Sequence, residues 1–200
     1  MGNSFRTIGL TGGIASGKST VAQMLRTAGY MVVDLDTVGR ELTDSDSELI
    51  NAIDTLCGGG CVQNGKLNRT RVRETMFSSP ELRAKLEALL HPKILASFQQ
   101  QIAAAKKRGE KAIVCEAALL FESGYAKQCD AVIVVVAEPQ VQRARLIHRD
   151  SISDALADQM IASQWKNDQK QGTFLIRNDA TIETLRAQVA KTIASLKASS

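Results

Sequence analysis

Gly12-Gly13-Ile14-Ala15-Ser16-Gly17-Lys18-Ser19 fits the pattern G-x4-G-K-[ST] at every fixed position, and its surroundings fit as well. Residues 7–11, just ahead of it, read as a short buried strand. Residues 18–28 read as a helix with Val21, Met24, Leu25 and Ala28 on one face and Gly29 just past its end. A strand, a glycine-rich turn and a helix in this order suit phosphate. Glycine lets the backbone turn tightly and come close to phosphate oxygens. The amides of residues 13–19 are expected to form an anion nest, and the helix start at Lys18 adds the positive end of its dipole. Lys18 is expected to reach the β- and γ-phosphates of ATP, and Ser19 to place its hydroxyl on Mg2+.

Outward from this loop, apolar runs alternate with helical periods. Met31–Asp34 reads as a second strand. Ala112–Glu116 and Ala131–Val136 are continuous runs rich in Val, Ile and Ala, which suit strands buried on both faces of a parallel sheet. Residues 174–176 read as a short last strand. Helices are expected over Ser47–Leu56 and over residues 70–77, 80–90, 92–107, 139–149, 153–165 and 181–197, with residues 62–68 as a turn-containing linker. Alternation of this kind implies an α/β fold, with helical layers on both sides of the sheet.

The bulk numbers narrow the function classes. A chain of 200 residues fits one domain with inserted subdomains. Hydrophobic residues make up 44%, charged residues 23% and aromatics only 4%, as in a soluble protein with an aliphatic core. The net charge of +4 is scattered, without a dense basic run, which argues against a nucleic-acid partner and suits an anionic small substrate. Cys57, Cys61, Cys115 and Cys129 have only His91 and His148 as distant companions, so free thiols in a reducing compartment are expected rather than zinc. No apolar run reaches the ~20 residues a bilayer requires, and no signal pattern opens the chain. A cytoplasmic protein with no membrane partner is expected, as a monomer or weak homo-oligomer.

The loop alone does not say what becomes of the γ-phosphate. A guanine-reading N-K-x-D is absent; Asn167-Asp168 follows Lys166 and precedes Gln169. The run Ile113-Val114-Cys115-Glu116 ends in a single carboxylate, which either reaches Mg2+ through water or is an ordinary strand end. Asp34-Leu35-Asp36 closes the second strand, and in open α/β sheets ligands bind beyond the carboxyl ends of strands. Asp36 is the expected base for an attacking hydroxyl; paired acids at such a place also serve as helix caps or solvated groups. Arg143, Arg145 and Arg149 lie on one helical segment, with Arg145 and Arg149 four apart on a shared face. They either close over ATP and neutralise the transferring phosphoryl group or form a solvated basic face.

In order and spacing these pieces resemble the dephospho-CoA kinase family. Ile8 to Thr20 is similar to its LTGGIGSGK[ST]T, and Val33-Asp34-Leu35-Asp36 with Arg40 to its [IV]DAD-x3-R. Gly65-Lys66-Leu67-Asn68-Arg69 resembles G-x-L-x-R, Leu90-His91-Pro92 resembles LHP, and Leu119-Leu120-Phe121-Glu122 resembles PLL-x-E. Gln142, Arg145, Arg149-Asp150 and Gln164 match the lid pattern Q-x2-R-x3-RD…Q. The resemblance implies a P-loop kinase fold: a five-stranded parallel sheet flanked by helices, a helical substrate-binding insertion and a helical lid. The core would comprise residues 1–36, 110–138 and 171–200, the insertion 37–109 and the lid 139–170.

It implies ATP-dependent phosphorylation of the ribose 3′-hydroxyl of dephospho-CoA, with Mg2+ accompanying ATP. Asp36, Lys18 and Arg145 would be catalytic. Gly12, Gly13, Ile14, Ala15, Ser16, Gly17, Lys18, Ser19, Thr20, Arg145, Arg149 and Asn178 would bind ATP. Thr11, Asp36, Arg40, Arg69 and His91 would face dephospho-CoA. On residues alone, His91-Pro92 simply breaks a helix. Three places depart from the family pattern. Ala15 replaces a usual glycine, which matters only if the position needs positive φ. Ala118 replaces a proline, and Gly172-Thr173 an Ala-Asp pair.

Overall fold

The structure is a computed structural model and describes residues 5–162 and 172–198, the side chains at 76–78 excepted. Among these residues a five-stranded parallel sheet runs in the order β2-β5-β1-β6-β7. Its strands are β1 (Arg6–Gly12), β2 (Met31–Asp34), β5 (Ala112–Glu116), β6 (Ala131–Val136) and β7 (Phe174–Arg177). All six residues of β6 are buried, the outcome expected of an unbroken Ala-Val-Ile run inside a parallel sheet. Register is fixed by pairs such as Ile8 with Val114 and Leu10 with Ile133.

Helices α1 (Lys18–Thr27) and α8 (Ile182–Ala198) supply the apolar cover. Val21 and Leu25 from α1, with Leu185 and Val189 from α8, join Ile8, Ile133, Val135 and Ile176 in one core cluster. Each such side chain contributes about 1.5–3 kcal/mol by leaving water. Gly29 ends α1 at φ 89°, with its own amide on Arg26 and that of Tyr30 on Leu25, the left-handed closure that glycine permits.

The chain divides into two compact units, residues 34–101 and the remainder. The smaller unit contains α2 (Leu35–Ser45), α3 (Ser47–Leu56), a hairpin of β3 (Val62–Gln63) and β4 (Lys66–Leu67), α4 (Arg69–Ser78) and most of α5 (Pro80–Lys107). Leu35, Leu49, Ile53 and Phe98 are its largest fully buried side chains.

Sequence and structure differ here in three places. The linker at 62–68 is a hairpin whose central Asn64 and Gly65 both have positive φ, 51° and 74°, the geometry of a type I′ turn. Helix α2 begins directly at Leu35 because the Asp34 carboxylate caps it, accepting from the amides of Asp36 and Thr37. Residues 80–90 and 92–107 form one helix, not two, with Pro92 inside it. Pro92 forfeits the bond to the Ala88 carbonyl and strains the turn before it. Burial of Ile94 and Phe98 beyond it keeps the helix running.

The remaining elements are a 3-10 turn at Tyr125–Gln128, α6 (Pro139–Asp150) and α7 (Asp154–Ala162). Arg143 ties α6 to α7 through Asp154 at 3.1 Å and Asp158 at 2.9 Å. The expected helix at 153–165 is described to Ala162; Gln164 and Trp165 lie outside the described residues.

Candidate active site

Local chain geometry makes the loop at 12–19. Gly12 ends β1 so close to its neighbours that a Cβ would sit 2.5 Å from the Val135 carbonyl oxygen. Ser16 donates its amide to Gly13, closing a turn. Gly17 caps α1 at φ 92°, where a side chain would run into the Asn178 carboxamide. Ala15 has φ 55°. The departure from glycine therefore falls on a position that does adopt the left-handed region, where a Cβ costs about 1–2 kcal/mol.

Two side chains from distant parts of the sequence hold this turn. The Gln142 carboxamide, on the first turns of α6, donates to the Ile14 carbonyl at 2.7 Å. The Asn178 carboxamide, just past β7, donates to the Ser16 carbonyl at 2.8 Å. Both residues are buried. The carbonyls on either side of Ala15 are thus occupied by protein donors.

Charge gathers beside the loop. Lys18 Nζ lies 2.9 Å from Glu116 Oε1 at the end of β5, and Arg26 reaches the other oxygen at 3.5 Å. The Glu116 side chain is 4% exposed and that of Lys18 16%, so this pair is largely out of water. Arg145 donates to the Asn178 carbonyl at 2.9 Å. Its Nη1 lies about 4.0 Å from where a Gly17 Cβ would be, buried and without a partner among the described residues. Among the described residues the Ser16 hydroxyl is likewise buried without one. A buried cationic donor facing a glycine-rich helix start is a place for an anion. Ser19 and Thr20 are exposed on the first turn of α1.

The other expected site residues have defined places. Thr11 is fully buried and its hydroxyl donates to the Ala118 carbonyl at 3.3 Å. Arg149 makes a two-pronged ion pair with Asp150 at 2.7 and 2.8 Å. Hydrogen bonding from Arg149 holds the Asp150 carboxyl below its usual range. Within the smaller unit, Asp36 and Arg40 are exposed one turn apart on α2. Arg69 donates to the Arg40 carbonyl, the Thr43 hydroxyl and Asp44. His91 lies half-buried inside α5, just before Pro92.

Thr173, in the departing Gly172-Thr173 pair, accepts from the Val132 amide at 3.1 Å, and a Cβ at Gly172 would meet Val134 at 2.5 Å. That pair fastens the start of β6.

The family model for dephospho-CoA kinase matches residues 6–184. The chain belongs to the dephospho-CoA kinase family. A dephospho-CoA kinase of Fusobacterium nucleatum is 36% identical over 190 residues, covering 94% of this chain and 97% of the relative. Among solved structures, one from Thermus thermophilus superposes with a TM-score of 0.83 at 27% identity, over 96% of this chain and 98% of that one. A dephospho-CoA kinase from Campylobacter jejuni gives 0.72 at 25% identity, over 96% and 97%. Family membership makes this an ATP-using kinase, which agrees with the anion-shaped geometry of the loop. Glu116 as the partner of Lys18 and Gln142 as a support of the loop are the features that local sequence did not assign. A lone glutamine on a predicted helix carries no signal of a bond to a residue 128 positions away.

Proposed function

We propose that this chain transfers the γ-phosphoryl group of ATP to the ribose 3′-hydroxyl of dephospho-CoA, giving coenzyme A and ADP. The observation that carries the chemistry is the buried Nη1 of Arg145 beside Gly17, which has no partner among the described residues, with Lys18 on the same loop. Residues 12–20 would cradle the ATP phosphates. Lys18 and Arg145 would neutralise charge that develops on the phosphoryl group during transfer. Arg149 would add to them from the same helix. Asn178 would serve ATP through the loop, by holding Ser16.

Asp36, two residues after β2, would accept the proton of the attacking hydroxyl. Arg40, Arg69 and His91 would face the anionic substrate, and Thr11 would act on that side through Ala118. The insertion at 37–109 and the lid at 139–170 would carry these two halves of the chemistry.

The donor set also fits Mg2+. The Ser19 hydroxyl and the Glu116 carboxylate are hard oxygen ligands, and no cluster of three ligating side chains occurs among the described residues. An ion held by few protein oxygens relies on substrate phosphates for the rest, as Mg2+ does. Bound there, Mg2+ would be held by the Ser19 hydroxyl and the Glu116 carboxylate and would supply positive charge to offset that of the phosphates. No helix among the described residues is long and apolar enough to cross a membrane. We place the enzyme in the cytoplasm, as a monomer or weak homo-oligomer.

A coupled ADP-release assay with Mg-ATP tests the acceptor, comparing dephospho-CoA with AMP, CMP, UMP and shikimate. Turnover confined to dephospho-CoA is expected; turnover with a nucleoside monophosphate instead would overturn the assignment. Asp36→Asn should cut turnover by about a hundredfold or more while ATP affinity changes little. Near-parental turnover in that variant would remove Asp36 as the base.

A further inference from the structure

Ala15 holds a left-handed conformation, φ 55°, at the centre of the phosphate loop. Left to itself, an alanine there drifts toward the ordinary helical or extended regions. Such a drift would rotate the peptides on either side of it, and with them the amides that meet phosphate. The carbonyl before Ala15 belongs to Ile14 and is held by Gln142 at 2.7 Å. The peptide after it carries the Ser16 amide, which donates to the Gly13 carbonyl at 3.1 Å, and the carbonyl of Ser16, one peptide further on, is held by Asn178 at 2.8 Å. Gln142 and Asn178 are 5% and 8% exposed, so neither bond competes openly with water. The peptide before the strained residue and the peptide one residue beyond it are therefore clamped, from two segments that meet only in the folded chain, with the Ser16 turn to Gly13 between them.

We propose that Gln142 and Asn178 are positioning residues that hold the loop in its anion-binding form against the strain at Ala15. Neither needs to touch the nucleotide for this. A glycine at position 15 would bear the same conformation without strain, so this chain depends on the clamp where a glycine loop does not. The inference rests on the ATP-binding reading of the loop but not on the identity of the acceptor.

The test uses the full chain and a fluorescent ATP analogue with Mg2+, in the absence of dephospho-CoA. Gln142→Ala leaves the Ile14 carbonyl without its donor, and Gln142→Met does so at nearly the same side-chain length. Loss of one buried bond lowers the share of competent loops and raises the apparent Kd about tenfold. Ala15→Gly in that background should recover about fivefold of the loss. In the parental background the same change should move Kd much less, because the loop is already in place. That non-additivity marks a conformational clamp.

Two results would overturn the proposal. One is an unchanged Kd in Gln142→Met. The other is a raised Kd that Ala15→Gly leaves unrepaired, which would make Gln142 a direct or merely structural contact. If Gln142→Ala does not fold, Gln142→Met and Asn178→Ala carry the same comparison. The kinase reaction with dephospho-CoA is scored separately, so failure of the clamp leaves the acceptor assignment intact, and the reverse also holds.

Discussion

Replacing Glu116 by glutamine removes one charge from a site where two cations meet it. The carboxylate is 4% exposed and lies 2.9 Å from Lys18. With an effective dielectric constant of about 20, that separation corresponds to ~6 kcal/mol of attraction. Desolvating the carboxylate takes back several kcal/mol of this. Arg26, at 3.5 Å and 38% exposed, adds little through the screening of water. A net loss of about 2 kcal/mol remains for Glu116→Gln. With a urea slope of about 2 kcal/mol per molar, the unfolding midpoint should fall by about 1 M. The decisive measurement is a double-mutant cycle with Lys18→Met. Lys18→Met alone leaves the buried carboxylate facing Arg26 and no other cation among the described residues, and should cost more than Glu116→Gln. Adding Glu116→Gln to it should then be neutral or stabilising. Strict additivity of the two changes would refute the coupling and reduce the 2.9 Å contact to coincidence.

Pro92→Ala should raise stability by about 2 kcal/mol, because alanine restores the bond to Ala88 inside α5; a melting temperature that does not rise would mean that the helix bears Pro92 without strain. Asp54 accepts from the amides of Cys61 and Val62 at 2.6 and 3.1 Å, across three glycines of positive φ. Asp54→Ala should cost about 2 kcal/mol in urea unfolding, since one of those amides belongs to a fully buried residue. An unchanged midpoint would show that water replaces the carboxylate. Burial and the neighbouring Cys61 raise the Cys57 thiol to about 11, whereas a hydrogen bond from Cys115 lowers that of Cys129. Iodoacetamide at about pH 8 should therefore label Cys129 before Cys57, as read by mass spectrometry, and the reverse order would contradict both directions. The folded chain also keeps the Cys57 proton where the unfolded chain has lost it. That contribution to stability is complete below the ordinary value of 9.0 and is lost as pH rises toward about 11.

What the sequence made legible was local or strongly periodic. The strand, loop and helix around Gly12–Ser19 could be read because glycine spacing and burial pattern act over a few residues. The runs Ala112–Glu116 and Ala131–Val136 could be read because a strand covered on both faces needs no alternation. Asn64-Gly65 carries a turn signal legible as the turn-containing linker, but the two short strands it joins are too brief to show as a period. The continuity of α5 through Pro92 was hidden, because local propensity argues for a break and only burial further along overrides it. The Lys18–Glu116 pair and the Gln142 and Asn178 bonds were hidden for another reason. Each joins residues roughly a hundred or more positions apart, and no local period encodes such a meeting. Asp34 shows the limit within one motif. Of two neighbouring acids, one is a helix cap, and the residue types alone left both roles open.

The order of strands also sets a timetable. β1 and β2 follow each other in the chain but are not partners, because β5 lies between them. A nascent chain that has emerged only as far as α5 holds two strands of the sheet with no neighbour for either. Residues 34–101 already have their own internal contacts by then and are free to consolidate first. The phosphate loop must wait longer still, since Gln142 and Asn178 leave the ribosome after every strand but the last, or after all of them. The phosphate loop is thus completed late, although its sequence precedes that of four of the five strands of the sheet.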